Sequence, residues 1–220
     1  MSIDSTVARR MTIADEATSE KRFVSAVLPW LIAGAAALVY LLSLNYWVSF
    51  SSLLPVARTS GWIWQPSLTE PLYWLVTYPL RWLPAAAIPV LLNLFSVVCA
   101  ALSLALLARS VTLLPHDRTK EQRIRASSRF SLLSIPAAWV PPVVAAAVCG
   151  LQLSFWENAT AASIEMLNLL LFAYVIRCLL EYRIDGRDSW LFRAALVFGA
   201  GMANNWAMIG FFPLFLAAVI

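Results

Sequence analysis

The chain alternates long apolar runs with shorter polar segments. A helix that crosses a bilayer needs about 20 apolar residues, because each residue adds about 1.5 Å to a hydrocarbon core roughly 30 Å thick. Five charge-poor runs reach about this length, and they cover 24–44, 85–107, 132–155, 159–180 and 194–220. The pattern therefore predicts an all-α fold, a polytopic transmembrane helix bundle with about five spans.

Two of these runs have features that affect their boundaries. The third contains Pro136, Pro141 and Pro142, and proline removes a backbone donor and clashes with the preceding turn, so its regular helix should be kinked or begin near the double proline. The fifth stops at Ile220 inside a hydrophobic stretch. We expect the native chain to continue beyond this residue, so that 23–220 forms the front portion of a larger transmembrane domain.

Lysine and arginine are distributed unevenly between the segments that connect the runs. Fourteen lie in 1–22 or in and beside the loops 108–131 and 181–193, whereas the loop 45–84 contains two. Because basic residues are retained on the cytoplasmic side, 1–22 is predicted to be a cytoplasmic N-terminal segment and 45–84 an outer loop. We therefore predict a multi-pass protein of the inner (plasma) membrane with a cytoplasmic N-terminus.

The composition excludes an ordinary soluble surface. Hydrophobic residues make up 61% of the chain and charged residues 13%, about half the charged share of a typical soluble domain. The net charge of +4 follows from the basic cytoplasmic segments, so no nucleic-acid partner is predicted. The three cysteines lie apart inside apolar runs, so neither a disulfide framework nor a metal site is indicated.

The outer loop 45–84 is rich in aromatic residues and contains five of the ten tryptophans. One interpretation is a short helix in the headgroup plane, with apolar side chains toward the bilayer. The other is a platform that stacks a sugar ring or positions a lipid-linked substrate. The candidate substrate-binding residues in the loop are Arg58, Trp62, Trp64 and Arg81, and Glu70 is a candidate catalytic carboxylate.

The fourth run carries polar side chains within apolar surroundings. Its helical spacing predicts one polar stripe descending from the outer surface on a single helix. Glu165 would lie about two turns inside and face the bundle or a wet cavity, since a carboxylate in lipid costs about 2.5–3.5 kcal/mol or more. Glu157 lies at the mouth of the stripe, and both are candidate catalytic residues. The stripe consists of Asn158, Ala162, Glu165 and Asn168.

Two roles remain open for this stripe. It could hydrogen-bond between helices, with Asn204 and Asn205 of the fifth run as partners. Alternatively, it could form a substrate or ion site, because ionisable residues inside a membrane are often functional. The candidate substrate-binding residues in this region are Asn158, Asn168, Asn204 and Asn205.

Two stretches carry a resemblance to a known family. Residues 155–168 read FWENATAASIEMLN, and residues 199–205 read GAGMANN and are followed by Pro213. Over roughly residues 30–220 the chain resembles a bacterial family of multi-spanning proteins that is related to the protein O-mannosyltransferases. In that family a span begins with an aromatic-Trp-x-x-Ala signature followed by Glu and a Leu-Asn pair, and the next span has a Gly-x-Gly-x-x-Asn-His-like segment.

The resemblance implies a fold of the GT-C glycosyltransferase type and a polyprenyl-phosphate-linked sugar as donor, with chemistry at the outer face. Such proteins place an acidic residue early in the first outer loop, where this chain has none between Trp47 and Ser51, and Asn205 stands in the place of the family's histidine. A divalent metal is implied only where the family chemistry is retained. We therefore expect a membrane protein related to GT-C enzymes that does not transfer sugar as this chain alone.

An alternative from another class is a transporter or lipid-binding membrane scaffold that uses Glu165 as a polar intramembrane site. The enzyme-like arrangement needs a carboxylate near the outer headgroups. The transporter needs polar residues that continue to the inner side. Membrane lipid is a partner in either case, and the sequence predicts no particular oligomeric state.

Single-cysteine labelling tests the predicted orientation. In a background where Cys99, Cys149 and Cys178 are replaced by alanine, Ser67→Cys should react with a membrane-impermeant thiol reagent in intact cells. Arg125→Cys should react only after permeabilisation, since its loop carries the basic residues that stay inside. The opposite labelling pattern would contradict the orientation.

Overall fold

A computed structural model of the chain describes residues 23–63, 69–114 and 138–219. All regular structure within these ranges is helical. The helices are α1 (Phe23–Leu42), α2 (Phe50–Thr59), α3 (Pro71–Thr77), α4 (Ile88–Leu113), α5 (Val140–Gly150), α6 (Leu153–Thr160), α7 (Ile164–Asp185), α8 (Asp188–Asn204) and α9 (Phe212–Val219). The first turn of α1 is a π-helix, and 3₁₀ turns at Tyr78–Trp82 and Trp206–Phe211 follow α3 and α8.

Helix α4 is the centre of the bundle. In the most apolar 18-residue stretch of α4, 56% of the residues are buried, against 28% in that of α1. Helix α1 is therefore peripheral, and α4 is enclosed by other helices. Small side chains allow this enclosure, because they let helix backbones approach closely. Ala101 and Ala105 of α4 pack against Ala33 and Ala37 of α1.

Proline defines several helix starts. Its missing N–H and fixed φ suit the first turn of a helix, and Pro71, Pro89 and Pro141 occupy first-turn positions, while Pro29 lies at the start of the regular α-helical part of α1. Here Pro29 follows the π-helical turn of α1. The predicted start of a helix near the double proline of the third run is confirmed, since α5 begins at Val140.

Among the described helices, α1 and α4 are long and apolar enough to cross a membrane, and α5 with α6 adds a third crossing if that bent pair is one span. The predicted all-helical membrane fold is therefore confirmed at this level. Helix α7 has 22 residues but is not among these helices, because it contains the charged residues Glu165, Arg177 and Glu181.

The bend between α5 and α6 is held by Tyr40 of α1. The two helix axes differ by 72°, and the Tyr40 hydroxyl donates a hydrogen bond to the carbonyl of Gly150 at 2.8 Å. The Tyr40 ring also packs edge-on against Trp156 of α6, with 5.4 Å between centroids. A Cβ atom at Gly150 would lie 2.9 Å from both the Tyr40 hydroxyl and a methyl group of Leu104. A side chain at this position would therefore have to displace Tyr40 or Leu104.

The bundle has two chemically different ends. At the loop end, which carries α2 and α3, the N–H of Asn45 bonds to the carbonyl of Thr160 and the side chain of Asn93 donates to the carbonyl of Asn45. At the opposite end, which we call the arginine end, Arg109 of α4 meets Glu181 of α7. The described residues next to two of the basic loops, Arg109 and Glu181, thus meet at one end of the bundle.

The predicted polar stripe on one continuous helix is wrong. Helix α6 ends at Thr160 and α7 begins at Ile164. The break is stabilised by tertiary hydrogen bonds, since the N–H of Ser163 donates to the hydroxyl of Ser96 on α4 at 3.0 Å. Glu165 consequently lies in the first turn of α7 and is exposed, rather than two turns inside and facing the bundle.

Substitution of Gly150 by alanine should destabilise the fold. The added methyl group would overlap Tyr40 and Leu104, and overpacking of this kind costs about 1–3 kcal/mol. The matched control is Gly199→Ala in α8, where a Cβ atom meets no other atom within 4 Å and alanine favours the helix by about 1 kcal/mol.

Thermal unfolding of both variants in detergent measures the difference. Gly150→Ala should unfold at a lower temperature than the wild-type protein, and Gly199→Ala at the same or a higher one. Equal melting of the two variants would contradict the close contact at the bend.

Candidate functional site

An ion pair links the two short helices of the loop end. The side chain of Ser49 caps α2 in a reciprocal arrangement with Ser52, which fixes the start of this ten-residue helix. Arg58 lies in its last turn, where a positive charge complements the helix dipole, and its Nη1 atom lies 2.8 Å from Oε2 of Glu70. Both side chains are about one-quarter exposed. The pair is therefore partly shielded from solvent yet reachable.

A network of amide side chains holds α3 against the bundle. Glu70 precedes α3 but does not cap it through its side chain, which leaves first-turn N–H groups needing acceptors. The N–H of Tyr73 donates to Oδ1 of Asn204 at 2.9 Å, and Nδ2 of Asn204 donates to Oδ1 of Asn168. Asn204 is almost fully buried. One amide thus joins α3, α7 and α8.

Of the two roles left open for the stripe, the interhelical hydrogen bond is present for Asn168 with Asn204. It does not involve Asn205, whose side chain instead accepts from the N–H of Ala207 and begins the 3₁₀ turn after α8. The chain of contacts continues to the surface, because Nδ2 of Asn168 donates to Oε2 of Glu165 at 3.5 Å.

Tyr73 is the most buried aromatic residue of α3. Its ring meets Phe95 of α4 edge-on at 6.0 Å, and its hydroxyl is buried without a hydrogen-bond partner in the described part of the chain. Burial raises the pKa of Tyr73, and Cys99 and Glu70 act in the same direction. The hydroxyl is therefore a neutral donor throughout the physiological pH range.

A second guanidinium lies beside the turn that follows α2. Gly61 has a φ of +84°, and a Cβ atom there would lie 2.8 Å from Nη2 of Arg81, so the side chain of Arg81 covers this turn. Trp62 follows and is 82% exposed. Arg58, the turn at Gly61 and Trp62 thus follow one another along the chain, and the side chain of Arg81 packs against this segment. Trp64 is outside the described residues.

The other sequence candidates lie away from this segment. Nδ2 of Asn158 donates to the carbonyl of Ser154, and its Oδ1 accepts from the hydroxyl of Ser163, so its amide organises the turn between α6 and α7. Glu157 is on the exposed side of α6. Of the three candidate carboxylates, Glu70 is the one that the structure pairs with a cation of the loop end.

The loop end does not fit a divalent metal ion. Hard cations take several oxygen ligands, usually with more than one carboxylate. In the described ranges no three His, Cys, Asp or Glu side chains converge. Glu70, which would be the central ligand, is engaged by Arg58.

Residues 69–220 match the family described as the protein O-mannosyl-transferase TMEM260 N-terminal domain. The chain belongs to this family. The match begins just before α3, so the matched part of this chain contains Glu70, Tyr73 and the asparagine network, whereas Arg58 lies before it. The predicted relation to the protein O-mannosyltransferases is confirmed. No curated protein and no solved structure matches the chain.

Sequence reasoning did not identify Tyr73, Asn93 or Ser163. Tyr73 resembles the exposed aromatic residues around it, so the pattern held no signal for its burial. Asn93 did have a signal, since an amide in the second turn of an apolar span requires a partner. Its partner is the backbone of the loop that follows α1.

Removal of the Asn204 amide should loosen α3. Asn204→Ala takes away the acceptor of the Tyr73 N–H, and loss of a helix cap costs about 0.5–2 kcal/mol. Amide hydrogen exchange of α3 should then be about twofold to thirtyfold faster, because exchange reports the free energy of local opening. The matched control is Asn205→Ala, which removes the cap of the following 3₁₀ turn. Equal protection of α3 in the two variants would contradict the proposed tie.

Proposed function

We propose that this chain is the membrane part of a GT-C-type glycosyltransferase relative that binds a polyprenyl-phosphate-linked sugar at its loop end. The observation that carries the proposal is the placement of Arg58 and Arg81 beside the turn after α2, next to Glu70 and Trp62. Membership of an O-mannosyl-transferase family makes mannose the sugar to test first.

The charge of this segment favours a phosphate ligand. Arg58 pairs with Glu70, and Arg81 lies against the turn at Gly61, so this segment carries one more guanidinium than carboxylate and a net positive charge remains. Arginine is suited to phosphate because its planar fork makes paired, charge-assisted hydrogen bonds. Exposed indoles nearby offer flat surfaces for a sugar ring or for the membrane interface.

The orientation and the full set of spans are part of the same proposal. Helices α7 and α8 would complete five crossings with α1, α4 and the bent pair, and the loop end would face away from the cytoplasm. The inner membrane of a bacterium would then present the loop end to a donor whose phosphate lies among the outer headgroups.

We further propose that the chain alone holds the donor without transferring the sugar. General-base assistance contributes about 10²–10⁴ in rate. The segment from Trp47 to Ser51 has no acid, Glu70 is ion-paired with Arg58, and Asn205 is occupied in a turn. Transporter chemistry at Glu165 has no such supporting contact, because Glu165 meets Asn168 at the surface.

Reconstitution with a polyprenyl-phosphate mannose tests both parts of the proposal. The wild-type chain should retain the lipid and release no polyprenyl phosphate. Arg58→Gln should weaken retention about tenfold or more, since a hydrogen bond to a charged group contributes roughly 1.5–3 kcal/mol. The matched control is Arg187→Gln, which alters an exposed arginine between α7 and α8.

Three outcomes would contradict the proposal. Equal retention by Arg58→Gln and Arg187→Gln would exclude the loop end as the phosphate site. Absence of retention by the wild-type chain would exclude donor binding itself. Release of polyprenyl phosphate that disappears in Glu70→Gln would make Glu70 a working base and refute the lack of transfer.

A further inference from the structure

A second groove lies at the arginine end, far from the proposed donor site. It has a volume of about 760 Å³ and lies between α1, α4, α7 and α8. Its walls are mainly apolar, with Leu106 of α4 and Leu170 of α7 among them, and polar groups are few. The arginines in its lining are Arg109 and Arg177.

The two arginines share one carboxylate. Oε1 of Glu181 accepts from Nε and Nη2 of Arg109 at 3.1 and 2.9 Å and lies 3.8 Å from Nε of Arg177. Arg109 also donates to the carbonyl of Ser25 on α1. One positive charge is therefore uncompensated within this trio.

Arg177 carries the unsatisfied part of that charge. Its Nε is buried without a hydrogen-bond partner in the described ranges, and its guanidinium lies 5.7 Å from the ring of Trp190. Arg193 approaches the same ring at 4.9 Å, which adds positive charge. The Arg177 side chain as a whole is 29% exposed and lines the groove, so an anionic group in the groove can approach its guanidinium and compensate the remaining charge.

The depth of the trio matches a lipid headgroup. Arg109 lies 21 residues after the start of α4 at Ile88, about 32 Å along the helix, and the hydrocarbon core of a bilayer is about 30 Å thick. When the start of α4 lies at one interface, the guanidinium groups of Arg109 and Arg177 lie near the other. The apolar part of the groove then extends into the hydrocarbon layer.

We infer that this groove binds an anionic glycerophospholipid of the leaflet opposite the loop end. Its phosphate contacts Arg177 and Arg109, and an acyl chain lies along Leu106 and Leu170. A free phosphate ion would leave the apolar walls empty, so a lipid is the better fit. This site does not depend on donor binding at the loop end.

Native mass spectrometry of the full chain tests this inference. The protein is purified in detergent with equimolar dioleoyl phosphatidylglycerol and dioleoyl phosphatidylcholine, and the ratio of the retained lipids is measured. The wild-type chain should favour phosphatidylglycerol about fivefold, as expected for one arginine near an anionic headgroup. Arg177→Gln should reduce the ratio to about one, and the matched control Arg187→Gln should keep it.

Leu106→Trp provides a test that leaves every charge in place. The larger side chain fills the apolar part of the groove, so retention of both lipids should fall while the protein keeps its monomer mass. Glycerol phosphate at the same concentration should not displace the lipid, since it lacks acyl chains.

Several results would overturn the inference. They are a lipid ratio near one in the wild-type chain, an unchanged ratio in Arg177→Gln, displacement by glycerol phosphate, or a wild-type dimer without bound lipid that dissociates in Leu106→Trp. The last result would assign the groove to a second copy of the chain.

Discussion

Close packing around α4 is the constraint on which the rest of the structure depends. Apolar side chains gain little from association in lipid, so helices are held together by van der Waals contact and hydrogen bonds. Alanines on α1 and α4 permit that contact, and Gly150 permits the approach of Tyr40 at the bend. The bend sets the direction of α6, and the hydrogen bond from Ser163 to Ser96 then holds the break from which α7 begins.

The loop end is built on one buried amide. Asn204 accepts from the backbone of α3 and donates to Asn168 of α7, so a short helix is tied to two long ones. Glu70 immediately precedes α3 and pairs with Arg58. The charged pair is thus positioned by hydrogen bonds beneath it, which is the kind of support that a binding site needs to keep its geometry.

The apolar pattern sufficed for α1, α4 and the start of α5, because length and proline position are local properties. The pairing of Asn168 with Asn204 was also predictable, since amide side chains inside spans form hydrogen bonds between helices. The break before α7 was not, because 161–163 contains neither glycine nor proline and is held open by Ser96, far away in sequence. The pairing of Arg109 with Glu181 was missed for the same reason, as 72 residues separate them.

The central claim is that the phosphate of a polyprenyl-linked donor is bound at the loop end. A polyprenyl phosphate with a photoreactive group next to its phosphate would test this most directly, with the modified peptide identified after irradiation in membranes. The account predicts modification of the segment from α2 to the 3₁₀ turn Tyr78–Trp82, close to Arg58 and Arg81. Modification confined to the arginine end, around Arg109 and Arg177, would contradict it.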